Sequence, residues 1–170
     1  MTKKVDIKFW LIGLAMFGAL IAFDLLAMAD RPFSIIDHQA AGTAERVNEI
    51  QLAWKDAGYF TMSTISMVGD LIFIVFYSLG AWRAGTSIRA HSGTVMRFIG
   101  LILMVAAPVF FVTDIVETSL QLTQMLMDQG VDWMAATAAF MQPIKINAWI
   151  VSFVAVIAAL IAARFSSSAA

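Results

Sequence analysis

Apolar positions come along this chain in four long, nearly unbroken runs. They cover residues 9–29 ("FWLIGLAMFGALIAFDLLAMA"), 58–82, 98–120 and 135–165. Each reaches or exceeds the roughly 20 residues that a helix needs to cross a bilayer. The period-two alternation of barrel strands is absent, which argues against a β-barrel. The pattern predicts an all-α, integral membrane four-helix bundle, with residues 1–170 forming a single membrane domain.

The segment between the first two runs has a different texture. In "GTAERVNEIQLAWKDAG", Thr43 is suited to cap a helix and Glu45 to sit in its first turn. Val47, Ile50 and Trp54 then share one face at helical spacing. This predicts a short amphipathic helix at about 43–56, outside the membrane. It would lie on the membrane surface, cap the bundle, or act as a lid over a cavity. Trp54 and Trp133 suit the membrane–water interface. Residues 84–93 read as a short polar loop and the terminal "SSSAA" as a frayed tail.

Composition agrees with the pattern. Of 170 residues, 61% are hydrophobic and mean hydropathy is +0.82, whereas soluble domains are nearer half apolar. A net charge of −1 gives no basic surplus for nucleic acid, so no nucleic-acid partner is expected. The absence of cysteine removes disulfides, thiolate metal sites and thiol catalysis.

Charge sets orientation. Lys3, Lys4, Lys8, Arg83, Arg89, Arg97 and Arg164 flank the runs on one side, against Arg31, Arg46 and Lys55 on the other. By the positive-inside rule both termini are cytoplasmic and the 30–57 segment is external. The N-terminal lysines and "AMA" before Asp30 resemble a secretory signal. The apolar run is longer than a typical signal core and Asp24 interrupts its end, so an uncleaved span is expected.

Five ionisable residues fall inside the runs: Asp24, Asp70, Asp114, Glu117 and Lys145. Each costs at least about 2.5–3.5 kcal/mol near the bilayer centre, so none is expected to face lipid. At a rise of about 1.5 Å per residue, alternating helix directions bring all five into the outer half of the membrane. Asp114 and Glu117 are three apart and share a face. Together they predict an outward-facing, carboxylate-rich intramembrane pocket. Gln142 and Asn147 flank Lys145, Thr61 and Ser66 fall in the outer half of the second run, and Tyr77 follows Asp70 at i+7. Pro143 and Pro108 would free the carbonyls of Ala139 and Met104 as further ligands. His38 and His91 fall in opposite loops, which disfavours a two-histidine metal or haem site. The spacing of Gly13 and Gly18 suggests close helix packing.

These residues also carry a resemblance. The chain resembles a family of uncharacterised small bacterial four-span membrane proteins. The second span of that family opens "DLxF" and is followed by a Tyr, its third carries "ADxxEN", and its fourth a Lys near a Trp. Here the matching stretches are "DLIFIVFY" (Asp70, Tyr77), "VTDIVET" (Asp114, Glu117) and "IKINAW" (Lys145, Trp149). Thr118 stands where the pattern has Asn. The resemblance implies a bacterial inner membrane and singles out the same charged residues; it implies no particular activity.

The leading expectation is a protein whose pocket binds or moves a cation, protons or a small cationic ligand. The candidate binding residues are Asp24, Asp70, Tyr77, Asp114, Glu117, Gln142, Lys145 and Asn147. Besides the lipid bilayer, a homo-oligomer or a larger membrane complex is expected, because four spans are few for a solitary transporter. One alternative is a non-catalytic accessory subunit whose buried charges specify its fold. Another is a membrane enzyme acting on a lipid or isoprenoid, although no nucleophile, metal triad or cofactor motif supports it. No residue pattern assigns a cofactor, a metal or a catalytic group.

Overall fold

A computed structural model describes residues 5–90 and 93–167, without the side chains of 165–167. Lys3, Lys4, His91 and residues 168–170, on which part of the charge count and of the frayed-tail expectation rests, lie outside the described residues. Among the described residues there are six helices and no strand. They are α1 (Lys8–Ala27), α2 (Ile35–Gln39), α3 (Ala44–Asp56), α4 (Phe60–Arg89), α5 (Thr94–Leu126) and α6 (Asp132–Ser167). Four of these, α1, α4, α5 and α6, are long and apolar enough to cross a membrane. With the composition, that makes this a multi-pass membrane protein built as an all-α four-helix bundle.

The helices outrun the apolar stretches that predict them. α4 continues from the expected end at Trp82 to Arg89, and α5 begins at Thr94 and ends at Leu126. Hydropathy registers only the segment that would contact hydrocarbon. Helical hydrogen bonding continues into the polar turns, since nothing at 83–89 or 121–126 breaks it. Pro108 and Pro143 both sit inside continuous helices.

The long helices pack in sequence: α1 lies along α4, α4 along α5, and α5 along α6. Close approach depends on glycine. A Cβ on Gly13 would come 2.7 Å from Tyr77 Cα, and one on Gly80 would overlap the backbone of Trp10. These two contacts hold α1 against α4. A Cβ on Gly100 would meet the Gly85 carbonyl at 2.7 Å, so these two glycines bring α5 against α4. Gly18 has no atom within 4 Å of such a Cβ. The packing expected of Gly13 and Gly18 is therefore made by Gly13 alone.

α1 and α6 meet differently, through rings. Trp10 lies 5.7 Å from Phe153 and Phe17 lies 5.2 Å from Trp149, measured between centroids. Trp149 and Phe153 stack at 15°. Towards the α2 end of the bundle, beyond Phe17 and Trp149, the two helices diverge around a cavity.

α2 and α3 form a cap at that end. Ser34 and Asp37 form a reciprocal capping box at the start of α2, and Thr43 Oγ1 accepts from Arg46 N at the start of α3. Val47, Ile50 and Trp54 are the buried face of α3. Asp132 Oδ1 accepts from Ala44 N at 2.7 Å, Asn48 Oδ1 accepts from Gly130 N at 2.6 Å, and Lys55 pairs with Asp128. These contacts fasten α3 to the α5–α6 turn. Trp54 is not interfacial. It is fully buried, its Nε1 donates to Phe33 O at 2.8 Å, and its ring lies 5.0 Å from that of His38. Trp133 is exposed.

The glycine contacts give a direct test. Gly-to-Ala inside a free helix surface stabilises by up to about 1 kcal/mol. Gly18→Ala is expected to leave the melting temperature in detergent unchanged or raised. Gly80→Ala is expected to lower it, because the Trp10 backbone cannot move aside without shifting α1. Equal melting temperatures for the two variants would contradict this packing.

Candidate functional site

α5 carries a continuous buried polar stripe. Thr113, Asp114, Glu117, Thr118, Gln121 and Gln124 recur at helical spacing, and each is at most 7% exposed. The acidic pair stands out in the sequence, but the rest of the stripe does not, because Thr113 and Thr118 carry no charge within the run and Gln121 and Gln124 lie beyond its end at residue 120. The available signal was their i, i+3, i+4, i+7 recurrence with Asp114 and Glu117.

α6 supplies the counter-charge. Lys145 is 8% exposed, and its Nζ lies 2.9 Å from Asp114 Oδ1 and 3.0 Å from Glu117 Oε1. The Asp114 contact is a hydrogen bond. The Glu117 contact is close but misaligned, and neither Glu117 oxygen has a hydrogen-bond partner. The carboxylate is thus held by charge alone in a fully buried position.

Asp70, on α4, is in a different situation. Its Oδ2 lies 3.2 Å from Thr118 Oγ1, which also lies 3.4 Å from Asp114 Oδ1. One hydroxyl carries one proton, so Thr118 can donate to only one of the two carboxylates at a time. Among the described residues no basic group lies within ion-pair distance of Asp70.

Asp70, Asp114 and Lys145 line a cavity of 440 Å³ between α1, α4 and α6. Asp24, Ser34, Gln39, Ser66 and Gln142 complete its polar lining. Phe17, Phe73, Phe110 and Trp149 form its floor. Ile35 and Ile36 of α2 stand at its other end, where Gln142 Nε2 donates to Ile36 O at 3.4 Å. Of the positions open to the amphipathic helix, α3 takes that of a cap, and it is α2 that stands at the cavity end.

The remaining sequence candidates divide. Asp24 lines the cavity but is already compensated: Arg31 Nη2 contacts its Oδ1 at 2.6 Å. Arg31 is itself buried, donating to Phe33 O and Ser63 Oγ. The sequence treats Arg31 as a loop charge, since the chain reversal that returns it to Asp24 is invisible in hydropathy. Ser63 on α4 is buried where Thr61 is exposed, whereas Ser66 lines the cavity. Tyr77 lies one layer beneath, with Oη 2.9 Å from Ser152 Oγ and its ring against Phe73 and Phe110. Asn147 faces away: its Nδ2 donates to Pro143 O at 2.7 Å, and its neighbours are the outward-facing Ile144 and Val151. Among the described residues no three His, Cys, Asp or Glu side chains converge as a metal site; the Lys145 ammonium takes the point between Asp114 and Glu117.

The cap above holds a second buried polar group. His38 is 1% exposed, with its Nε2 3.2 Å from Gln51 Nε2. Burial holds its pKa down to about 4, from an ordinary 6.5. Above pH 6.5 the ring is neutral whether the chain is folded or not. Between 6.5 and 4 the unfolded chain takes a proton that the folded chain refuses. Stability therefore falls as pH falls through that window, by about 3 kcal/mol in all. His38→Gln is expected to flatten the pH dependence of unfolding between pH 4 and 6.5 in detergent. An unchanged slope would assign the dependence to other groups.

Comparison of the chain with known protein families, with curated proteins and with solved structures finds no match.

Proposed function

We propose that this membrane protein binds a positively charged ligand in the cavity between α1, α4 and α6, with Asp70 as its principal contact. The observation that carries this reading is the imbalance of charge. Three carboxylates, Asp70, Asp114 and Glu117, share one ammonium, and the one at the cavity wall without an ion pair is Asp70. A carboxylate inside the membrane without a counter-charge is costly, and a bound cation or proton supplies what Lys145 cannot. Asp114 and Lys145 position the charge layer, while Gln142 offers a neutral acceptor. Tyr77 and Asn147 support the surrounding helices without touching the ligand.

The cavity lies in the half of the bundle nearest the cap; the distribution of basic residues supports an outer-side cap with both termini cytoplasmic, and the resemblance supports a bacterial inner membrane. Its resemblance to the four-span family supports the same charged residues, and four spans, few for a solitary transporter, support action as a homo-oligomer or within a larger membrane complex, in transport or sensing. Thiol labelling from outside is expected to modify Ala40→Cys and to spare Ala90→Cys. The reverse pattern would invert the orientation.

Binding is read from stability, since a ligand that binds only the folded state at a hundredfold excess over Kd stabilises by about 2.7 kcal/mol. Melting in detergent at pH 7.5, where His38 is silent, is measured with sodium, potassium, magnesium, calcium and alkylammonium ions. At least one is expected to raise the melting temperature of the wild type but not of Asp70→Asn. No response to any of them would favour the accessory-subunit reading, in which the charge layer only specifies the fold.

A further inference from the structure

The charged layer sits on an aromatic one. Phe73 follows Asp70 by three residues on α4, Phe110 precedes Asp114 by four on α5, and Trp149 follows Lys145 by four on α6. At helical spacing each pair stacks on one helix face. Because the helices alternate in direction, all three rings lie on the same side of the charges, away from the cap. Phe17 of α1 completes this floor, packed on Phe73 at 5.4 Å and on Trp149 at 5.2 Å. The resulting cavity has one uncompensated carboxylate at its charged end and aromatic faces at the other.

Its side wall is also informative. Ile21 and Leu25 of α1 and Ile146 of α6 line the cavity, yet they are 44%, 65% and 46% exposed. Lining the cavity yet half-exposed, they mark the side on which it opens. They belong to the stretches that cross the membrane, so this side of the cavity opens towards lipid. At its capped end, α2 stands across the route from water.

We infer that the ligand is an amphipathic monocation, an ammonium or phosphonium on an apolar, partly aromatic body, which enters from the bilayer between α1 and α6. This rests on the cation-binding reading above and narrows it. The single free carboxylate at the wall matches one positive charge. The aromatic floor offers an apolar, partly aromatic body contact that a hydrated inorganic ion could not use. A volume of 440 Å³ suits a small organic molecule. The lateral opening suits a compound that partitions into the membrane first.

Tetraphenylphosphonium is the probe, and tetraphenylborate is its anion of the same shape. Binding to the full chain in lipid nanodiscs is followed with a tetraphenylphosphonium-selective electrode, against empty nanodiscs, and melting is followed with both ions. Saturable binding of one tetraphenylphosphonium per chain is expected, weakened at least tenfold by Asp70→Asn. Ile21→Trp, which fills the lateral opening from a half-exposed position, is expected to abolish binding while the protein still melts cooperatively. Because Ile21 and Asp70 are on different helices, a folding failure of one variant leaves the other decisive. Full affinity in either folded variant, or equal stabilisation by tetraphenylborate, would overturn the inference. If alkali or alkaline-earth cations stabilise through Asp70 while tetraphenylphosphonium does not bind, the ligand is hydrophilic and only this inference falls. If no cation of any kind binds, both readings fall.

Discussion

Lys145 places an ammonium inside a bundle whose helices are otherwise apolar on nearly every side, and it is stable there only because Asp114 and Glu117 of α5 come within 3.0 Å. Removing one partner of such a buried pair typically costs about 3–5 kcal/mol, because the other charge is left without compensation. The pair therefore fixes how α5 and α6 are rotated about their axes. A turn of either helix by one residue, about 100°, would carry a charge out towards lipid. With α5 fixed, Thr118 faces α4 and reaches Asp70. The register of three of the four long helices thus follows from one charged cluster.

The fourth helix is held by other means. Apart from Asp24 near its end, α1 has an apolar surface all round, with few buried residues, and a uniformly apolar helix has no preferred face in lipid. Its position is set by shape: Gly13 and Gly80 let the α1 and α4 backbones approach, while ring pairs join it to α6. Because rings rather than backbones span the α1–α6 gap, that gap closes where aromatic side chains fill it and stays open where they end. The cavity begins at this boundary, which is why its floor is aromatic and its wall is charged.

The cap resolves a second charge problem by the same logic. Arg31 leaves the α1 exit and folds back onto Asp24, stacking its guanidinium over Trp54 at 5.4 Å. Trp54 and Ile50 bury the α3 face against the bundle, and His38 stays neutral among Gln51, Gln121 and Trp54. Buried polar groups without charge are less costly than buried ions, provided they find partners. The cap is thus a small, largely apolar core around Ile50 and Trp54 that carries neutral polar side chains over the charged layer, and α2 is the part of it that stands at the cavity end.

The sequence by itself determined the four spans, the all-α class and the apolar face of α3. It also determined that Asp70, Asp114, Glu117 and Lys145 avoid lipid. These properties are local: about 20 apolar residues define a span, a period of 3.6 defines a face, and the cost of a charge in hydrocarbon needs no knowledge of neighbours. Tertiary structure alone decided that Lys145 pairs with Asp114 and Glu117 and leaves Asp70 free, that Arg31 neutralises Asp24, and that Asn147 points outward. It also decided that Trp54 is buried and that α2 closes the cavity. Each of these depends on which face of one helix meets which face of another. Helical periodicity gives the faces but not their partners, which are chosen by contacts between residues as far apart as Asp70 and Thr118 or Asp114 and Lys145.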